Sequence, residues 1–315
     1  MKLLVTGGLG FIGSSFIHYW FRNHPNDSII NLDKVTYAAN FKNVGEIKGR
    51  YDYSFVKGDI CNAALVSRLV MDVDAVINFA AETHVDNSIK NPSAFIRSNV
   101  VGVYRILNAV KKNETRFHHV STDEVYGSLG LNSDKKFTEE SRYDPRNPYA
   151  ATKAAADHLV KAYYNTYKLP VTISNCSNNY GPRQHVEKLI PKTIINAIKN
   201  KPIPVYGNGM QVRDWIYVED HCSALEKILG RGEYGETYLV SADGEKRNID
   251  VVRSLLKLLN KNDALIQFVK DRPGHDKRYA LNSSKIKNDL RWKPRFTFDK
   301  GLKLTIKHYK RTLKR

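Results

Sequence analysis

Cysteine is scarce in this chain: Cys61, Cys176 and Cys222 are an odd number without paired spacing, so neither a disulfide framework nor a zinc site is indicated. Acidic residues are also few, 32 against 50 lysines and arginines, which leaves a formal charge of +18. An excess of that size fits an anionic ligand, an anionic membrane surface or nucleic acid. The cations are spread along the chain, however, and only residues 307–315 are dense in them. There Leu302, Ile306, Tyr309 and Leu313 recur at helical spacing, which describes a packed terminal helix with a solvated basic face rather than a nucleic-acid arm. No apolar run approaches a membrane span, and the N-terminus passes from a short apolar strand directly into glycines, without the apolar core of a signal peptide. A cytoplasmic setting is expected, with no metal, no membrane and no nucleic-acid partner.

What is present is 315 residues, 42% of them hydrophobic, enough for a large core and a second lobe. Strand and helix signals alternate over the first half, the pattern of a parallel sheet covered on both faces. Strands are expected at 2–5, 28–32, 53–56, 75–79, 115–120 and 171–174. Gly7, Gly10 and Gly13 separate the first strand from a helix over 14–22. A tight turn, close approach of backbone to a pyrophosphate, and helix packing against the strand each require a residue without a side chain. Asp33 closes the next strand, where a carboxylate accepts hydrogen bonds from adenosine ribose hydroxyls and repels a 2′-phosphate. The cofactor expected is therefore NAD rather than NADP, with Lys34 the neighbouring cation.

Two long helices follow. One opens at Asn91-Pro92 and carries Phe95, Asn99, Val103, Ile106 and Val110; the other, over 148–167, carries Tyr149 and Lys153 one turn apart. An ammonium beside a phenol makes the phenol a usable base. Bringing its pKa from ~10 to near neutrality takes about 3 units, or roughly 4 kcal/mol, within the reach of Lys153 together with an oxidised nicotinamide. Between these helices, Ser121-Thr122-Asp123-Glu124 lies at a strand exit, where chemistry gathers in doubly wound sheets. Adjacent acids in an extended segment face opposite ways, so one can give a proton and the other take one.

Beyond residue 174 the alternation gives way to loops and short elements: a loop over 178–183, a helix over 188–200, and a Gly207-Asn208-Gly209 turn before a strand over 214–218. The expected architecture is a Rossmann-type doubly wound α/β sheet over 1–176, rejoined by about 213–240, with 177–315 mainly a smaller substrate-binding lobe. A loop holding Arg272 and His275 suits a diphosphate.

The glycine turn, Asp33, Ser121-Thr122 and the Tyr149/Lys153 pair resemble the extended short-chain dehydrogenase/reductases that act on nucleotide sugars. Residues 31–38, 121–127, 177–182, 187–191, 213–215 and 271–276 are similar, nearly end to end, to the dTDP-glucose 4,6-dehydratase family. Asp123-Glu124 carries most of this, because related epimerases have small or hydroxyl residues there. Thr83 stands where that family usually has serine, Asn87 where arginine is frequent, and Val186 where proline is common.

The resemblance implies an NAD-dependent hydro-lyase that turns dTDP-glucose or UDP-glucose into the 4-keto-6-deoxy sugar nucleotide plus water. By resemblance, Tyr149 takes the C4 hydroxyl proton, Thr122 bonds the same oxygen, Glu124 removes the C5 proton, and a protonated Asp123 donates to the departing C6 hydroxyl. Cofactor contacts implied are Phe11, Ile12, Asp33, Lys34, Thr36, Asp59, Ile60, Ala80, Ala81, Ser98 and Asn179, beside Tyr149 and Lys153. Substrate contacts implied are Thr83, Asn178, Lys188, Leu189, Tyr206, Arg213, Asn248, Arg272 and His275, with Lys188, Arg213 and Arg272 on the diphosphate. A homodimer through the two long helices is implied as well. A nucleotide-sugar 4-epimerase and a non-catalytic NAD-binding regulator are the alternatives.

Overall fold

The computed structural model describes residues 1–271 and 274–313. Twelve strands occur among them: β1 (Lys2–Thr6), β2 (Ser28–Asp33), β3 (Tyr53–Lys57), β4 (Ala75–Asn78), β5 (Arg116–Thr122), β6 (Val171–Cys176), β7 (Asn178–Tyr180), β8 (Ile203–Tyr206), β9 (Val212–Tyr217), β10 (Thr237–Val240), β11 (Glu245–Arg247) and β12 (Ile266–Val269). The α-helices are α1 (Phe11–Asn23), α2 (Ala63–Val70), α3 (Val85–Lys90), α4 (Pro92–Phe95), α5 (Gly102–Asn113), α6 (Pro148–Tyr167), α7 (Leu189–Ile198), α8 (Val218–Arg231), α9 (Asn248–Leu259), α10 (Ser284–Asp289) and α11 (Phe298–Leu313). No helix among the described residues is long and apolar enough to cross a membrane.

Seven strands form one parallel sheet in the order β10-β6-β5-β4-β1-β2-β3, the doubly wound Rossmann-type α/β arrangement expected. Its central strands are buried along almost their whole length, β6 at every residue, which is why they read as apolar runs rather than alternations. Phe16, Ile17, Val5 and Leu225 pack on one face; Leu4, Val66, Ile106 and Val160 pack on the other. The strand order reverses between β1 and β4, and there the crevice opens.

The second half builds a three-stranded sheet, β11-β9-β7, and a β12-β8 pair. Tyr180, Ile194, Trp215, Leu255, Leu256 and Leu302 form its core. The chain over 178–180, expected as loop, is strand β7, because it pairs in parallel with β9, a partner distant in sequence. Asp220 of α8 accepts from the backbone N–H groups of Arg295 and Phe296, at 2.7 and 3.1 Å, pinning the approach to α11. In α11, Leu302, Ile306 and Tyr309 are buried while Leu313 is exposed, so the apolar stripe stops a turn earlier than its spacing implies.

Local chemistry sets the elements that bear the site. Asn147 caps α6, its Oδ1 accepting from Ala150 N at 2.9 Å, and Pro148 takes the first helical position. The helix expected from Asn91 is interrupted: a π-helical stretch, Ile96–Val101, joins α4 to α5. It turns the buried Asn99 towards the loop after β4, where its Oδ1 accepts from Glu82 N (2.9 Å) and its Nδ2 donates to Glu82 O and Thr152 Oγ1, both at 3.0 Å. Asp123 and Glu124 are likewise not extended. They open a 3₁₀ turn, Asp123–Tyr126, because Thr122 Oγ1 accepts from Glu124 N at 3.3 Å and caps it.

Gly7 is the tightest joint. Its φ is +72°, and a Cβ there would lie 2.7 Å from Ala80 N, the backbone at the exit of β4. Gly7→Ala is expected to cost at least about 1–2 kcal/mol in the left-handed conformation alone, before the clash. A urea midpoint equal to that of the wild type would show that the turn does not need glycine.

Candidate active site

One cavity of about 870 Å³ runs along the carboxyl ends of β1, β2, β4, β5 and β6 and continues between that sheet and the second lobe. Every described residue among those expected at the cofactor, catalytic and substrate positions lines it. Arg272 lies outside the described residues.

At the end formed by β1 and β2, Gly10 begins α1 without a side-chain cap, and no acid occupies the first turn. The free N–H groups and positive end of the helix dipole are thus open to an anion, beside Phe11, Ile12 and Gly13. Asp33 is anchored through both oxygens, Oδ2 accepting from Leu9 N at 3.0 Å and Oδ1 from Val35 N at 2.8 Å. Each oxygen keeps a lone pair for a ribose hydroxyl. Lys34 does not face a phosphate site unopposed, since its Nζ pairs with Asp59 Oδ2 at 2.9 Å. Thr36, Ile60, Ala80, Ala81, Ser98 and Asn179 complete the wall. Helix N-terminus, glycine turn and anchored acid together fit a dinucleotide with an unphosphorylated ribose.

The middle of the cavity holds the ionisable groups. Asp123 is buried; its Oδ1 accepts from Thr122 Oγ1 at 3.2 Å, and its Oδ2 has no hydrogen-bond partner. Burial, then the neighbouring Glu124 and Asp214 carboxylates, push its pKa well above the usual carboxylate range. Burial also raises Glu124, but Lys188, the Asn147 amide (3.3 Å from Oε2) and Arg213 oppose the rise. Both adjacent acids are thus raised, but unequally: Asp123 by burial and like charge acting together, Glu124 by burial that Lys188, Asn147 and Arg213 oppose.

Tyr149 and Lys153 both reach this point from α6. The phenol is pushed well above its ordinary value by burial and by Glu124, while the Thr122 hydroxyl favours the ionised form. Lys153 sits differently from the expected pairing. Its Nζ donates to Val120 O at 2.8 Å and lies 3.1 Å from His119 Nε2, so most of its hydrogen-bonding capacity is directed at β5 rather than the phenol. Burial lowers its pKa to about 8.

The lobe contributes the far end. Arg213 is held by Val212 O (2.8 Å) and Asp276 O (3.0 Å), with its guanidinium 4.4 Å from the centre of the Tyr279 ring. Lys188 precedes α7, and His275 Nδ1 meets Asp271 Oδ1 at 2.6 Å beside Tyr206. Asn178 and Asn248 each bring a buried Oδ1 with no hydrogen-bond partner, next to Thr83 and Leu189 in the lining. The sequence reading missed Asn147, Asp276, Tyr279 and the His119–Asp157 pair behind Lys153. Two of these had local signals: Asn147 as the Asn-Pro start of a helix, like Asn91-Pro92, and Asp157 one turn beyond Lys153 on the same helix face.

Comparison with known proteins agrees with this geometry. The family model described as GDP-mannose 4,6 dehydratase matches residues 4–305. The dTDP-glucose 4,6-dehydratase of Mycobacterium tuberculosis (strain ATCC 25618 / H37Rv) is 49% identical over 311 residues, covering 98% of this chain and 93% of that protein. The crystal structure of dTDP-glucose 4,6-dehydratase from Bacillus anthracis str. Ames in complex with NAD superposes with a TM-score of 0.94 at 44% identity, covering 100% of this chain and 98% of that one. The dTDP-glucose 4,6-dehydratase of Streptomyces venezuelae, also solved with NAD, gives 0.95 at 41% identity, covering 99% and 97%. The chain therefore belongs to the family of that model and, within it, to the dTDP-glucose 4,6-dehydratases.

Proposed function

We propose that this protein is an NAD-dependent hydro-lyase that converts dTDP-glucose to the 4-keto-6-deoxy sugar nucleotide and water. The observation that carries the proposal is the pair of adjacent acids, Asp123 raised by burial and like charge and Glu124 raised by burial but opposed by Lys188 and Arg213, in the cavity that also holds Tyr149. A 4-epimerase has no need of two such acids. When bound, NAD supplies a reversible two-electron hydride acceptor and a positive charge beside the phenol.

The C5 hydrogen of a hexose is too weakly acidic to remove until C4 is a ketone. Tyr149 takes the C4 hydroxyl proton in that oxidation, while Thr122 hydrogen-bonds the same oxygen. Glu124 then removes the C5 proton, and Asp123 donates its own to the C6 hydroxyl, which leaves as water. Glu124 afterwards returns a proton to C5 as the hydride taken from C4 is delivered to C6, which completes the 6-deoxy product. Lys188 and Arg213 suit the diphosphate, with Asn178, Asn248, Tyr206 and His275 around it.

A homodimer is proposed through α3, the π-helical stretch, α5 and the end of α6, where Ile89, Ile96, Val101, Tyr104 and Tyr167 are exposed on one side of the sheet domain. The free thiols Cys61, Cys176 and Cys222 support a reducing cytoplasmic setting. Thymine preference is the finest part of the reading. A methyl group in an apolar pocket discriminates by about 1–3 kcal/mol, so kcat/KM for dTDP-glucose should exceed that for UDP-glucose by roughly 10-fold or more. Equal values would mean that the nucleobase is not read.

Two sets of variants test the chemistry. Tyr149→Phe should fail at the first half-reaction, showing no reduced-nicotinamide absorbance on mixing with substrate; a normal rise would remove Tyr149 from the role of base. Glu124→Gln should still oxidise C4 but exchange the C5 hydrogen with solvent poorly, whereas Asp123→Asn should exchange and then eliminate slowly. Each loss should be about 10²- to 10⁴-fold, the usual worth of one acid or base. Deuterium exchange at C5 followed by NMR separates the two. Normal exchange and near-wild-type product release in both variants would make the acids structural.

A further inference from the structure

Lys153 is buried, and the groups that hold it from beneath the cavity take part in none of the steps above. Its Nζ donates to Val120 O at 2.8 Å and lies 3.1 Å from His119 Nε2. Behind the ring, Asp157 Oδ1 lies 3.5 Å from the same Nε2. Asp157 Oδ2 accepts from Ser121 Oγ (2.8 Å), Tyr143 OH (3.1 Å) and Asn175 Nδ2 (3.1 Å). Its Oδ1 has no hydrogen-bond partner. His119 and Asp157 are both wholly buried.

A buried ammonium with no counter-ion sheds its proton. His119 cannot be the counter-ion. Burial and the neighbouring Lys153 hold its pKa well below the ordinary value, so it is neutral, with the Asn78 carboxamide 3.2 Å from Nδ1 fixing the ring. The other titratable groups around Nζ are Tyr149 and Asp157 from α6 and Cys176 from β6. Burial pushes the Cys176 thiol up to about 12, so it is uncharged. Asp157 remains, and it is the strongest influence opposing the desolvation of Lys153. Burial raises the Asp157 pKa as well, and Lys153, Ser121, Asn175 and Tyr143 oppose that rise by favouring the carboxylate.

We propose that Asp157, seated against the neutral ring of His119, is a positioning residue that keeps Lys153 charged and directed at the reacting end of the cavity. The proposal rests on the reading of Tyr149 as the base that Lys153 serves. Asp157 touches neither substrate nor cofactor; it acts through Lys153. Its function is to hold an ammonium in a site dry enough to strip the proton from an unsupported lysine.

The test is the pH dependence of the first oxidation, followed by reduced-nicotinamide absorbance in a single turnover. Only protonated Lys153 is competent, and losing the Asp157 charge lowers its pKa further. Asp157→Asn should therefore move the alkaline limb down by about one pH unit or more, roughly tenfold in rate on that limb, with little change below it. Asp157→Glu should restore most of the wild-type profile. Nitrogen-15 NMR of the Lys153 ammonium in stripped protein should show the same downward shift without reference to activity. If Asp157→Asn does not fold, Ser121→Ala, which removes one donor to the carboxylate, should shift the limb the same way by less. An unshifted limb and ammonium titration in these variants, with Lys153→Met inactive, would overturn the proposal alone. Wild-type oxidation by Lys153→Met would overturn the reading of Lys153 and the proposal with it.

Discussion

The exit of β5 is the constraint on which the site depends: within a few residues it places His119, Thr122 and Asp123 in a dry interior, opposite Lys153 and Asp157 from α6. Isolating one charge there costs several kcal/mol even after relaxation. Such a cost is tolerated only where surrounding structure fixes the geometry. Strand β5 does so by lying between β4 and β6, and α6 by its Asn147-Pro148 start and its packing on the same strands. Ser121 then ties the two elements together through Asp157.

One environment acts to different degrees on neighbouring residues, and the difference is which partners are within reach. Asp123 has an acid next to it and another, Asp214, nearby, so burial and like charge act in the same direction. Glu124 projects into the cavity towards Lys188 and Arg213, so cations oppose burial. The 3₁₀ turn achieves this separation where an extended strand would have placed the two carboxylates on opposite faces of the sheet. It puts both at one end of one cavity while keeping their surroundings distinct.

Much of this was legible in the chain because its signals are local. Glycines between a strand and a helix, an acid closing the next strand, and Tyr149 and Lys153 one turn apart each depend on a few adjacent residues. The features that escaped depend on tertiary neighbours. The strand β7 is specified by pairing with β9, and the π-helical stretch by the need of Asn99 to meet Glu82 and Thr152. His119 reads as one more residue of a buried strand until α6 brings Lys153 over it. Spacing likewise paired Lys153 with Tyr149, but hydrogen-bonding capacity decided that the ammonium is held first by β5.

The division of labour between sheet and lobe has a chemical consequence. The strongest of the influences that favour the Glu124 carboxylate is Lys188, which enters from the lobe, and Arg213 of β9 is another. Both are the cations suited to a diphosphate. Once their charge is shared with phosphate oxygens, less of it bears on Glu124, and the carboxylate becomes a stronger base. Asp123 feels Arg213 too, and the same sharing pushes it further towards the protonated form an acid needs. On the proposed reading, binding the nucleotide end of the substrate therefore adjusts both acids in the direction elimination requires, and the second lobe takes part in the proton transfers without touching the reacting carbons.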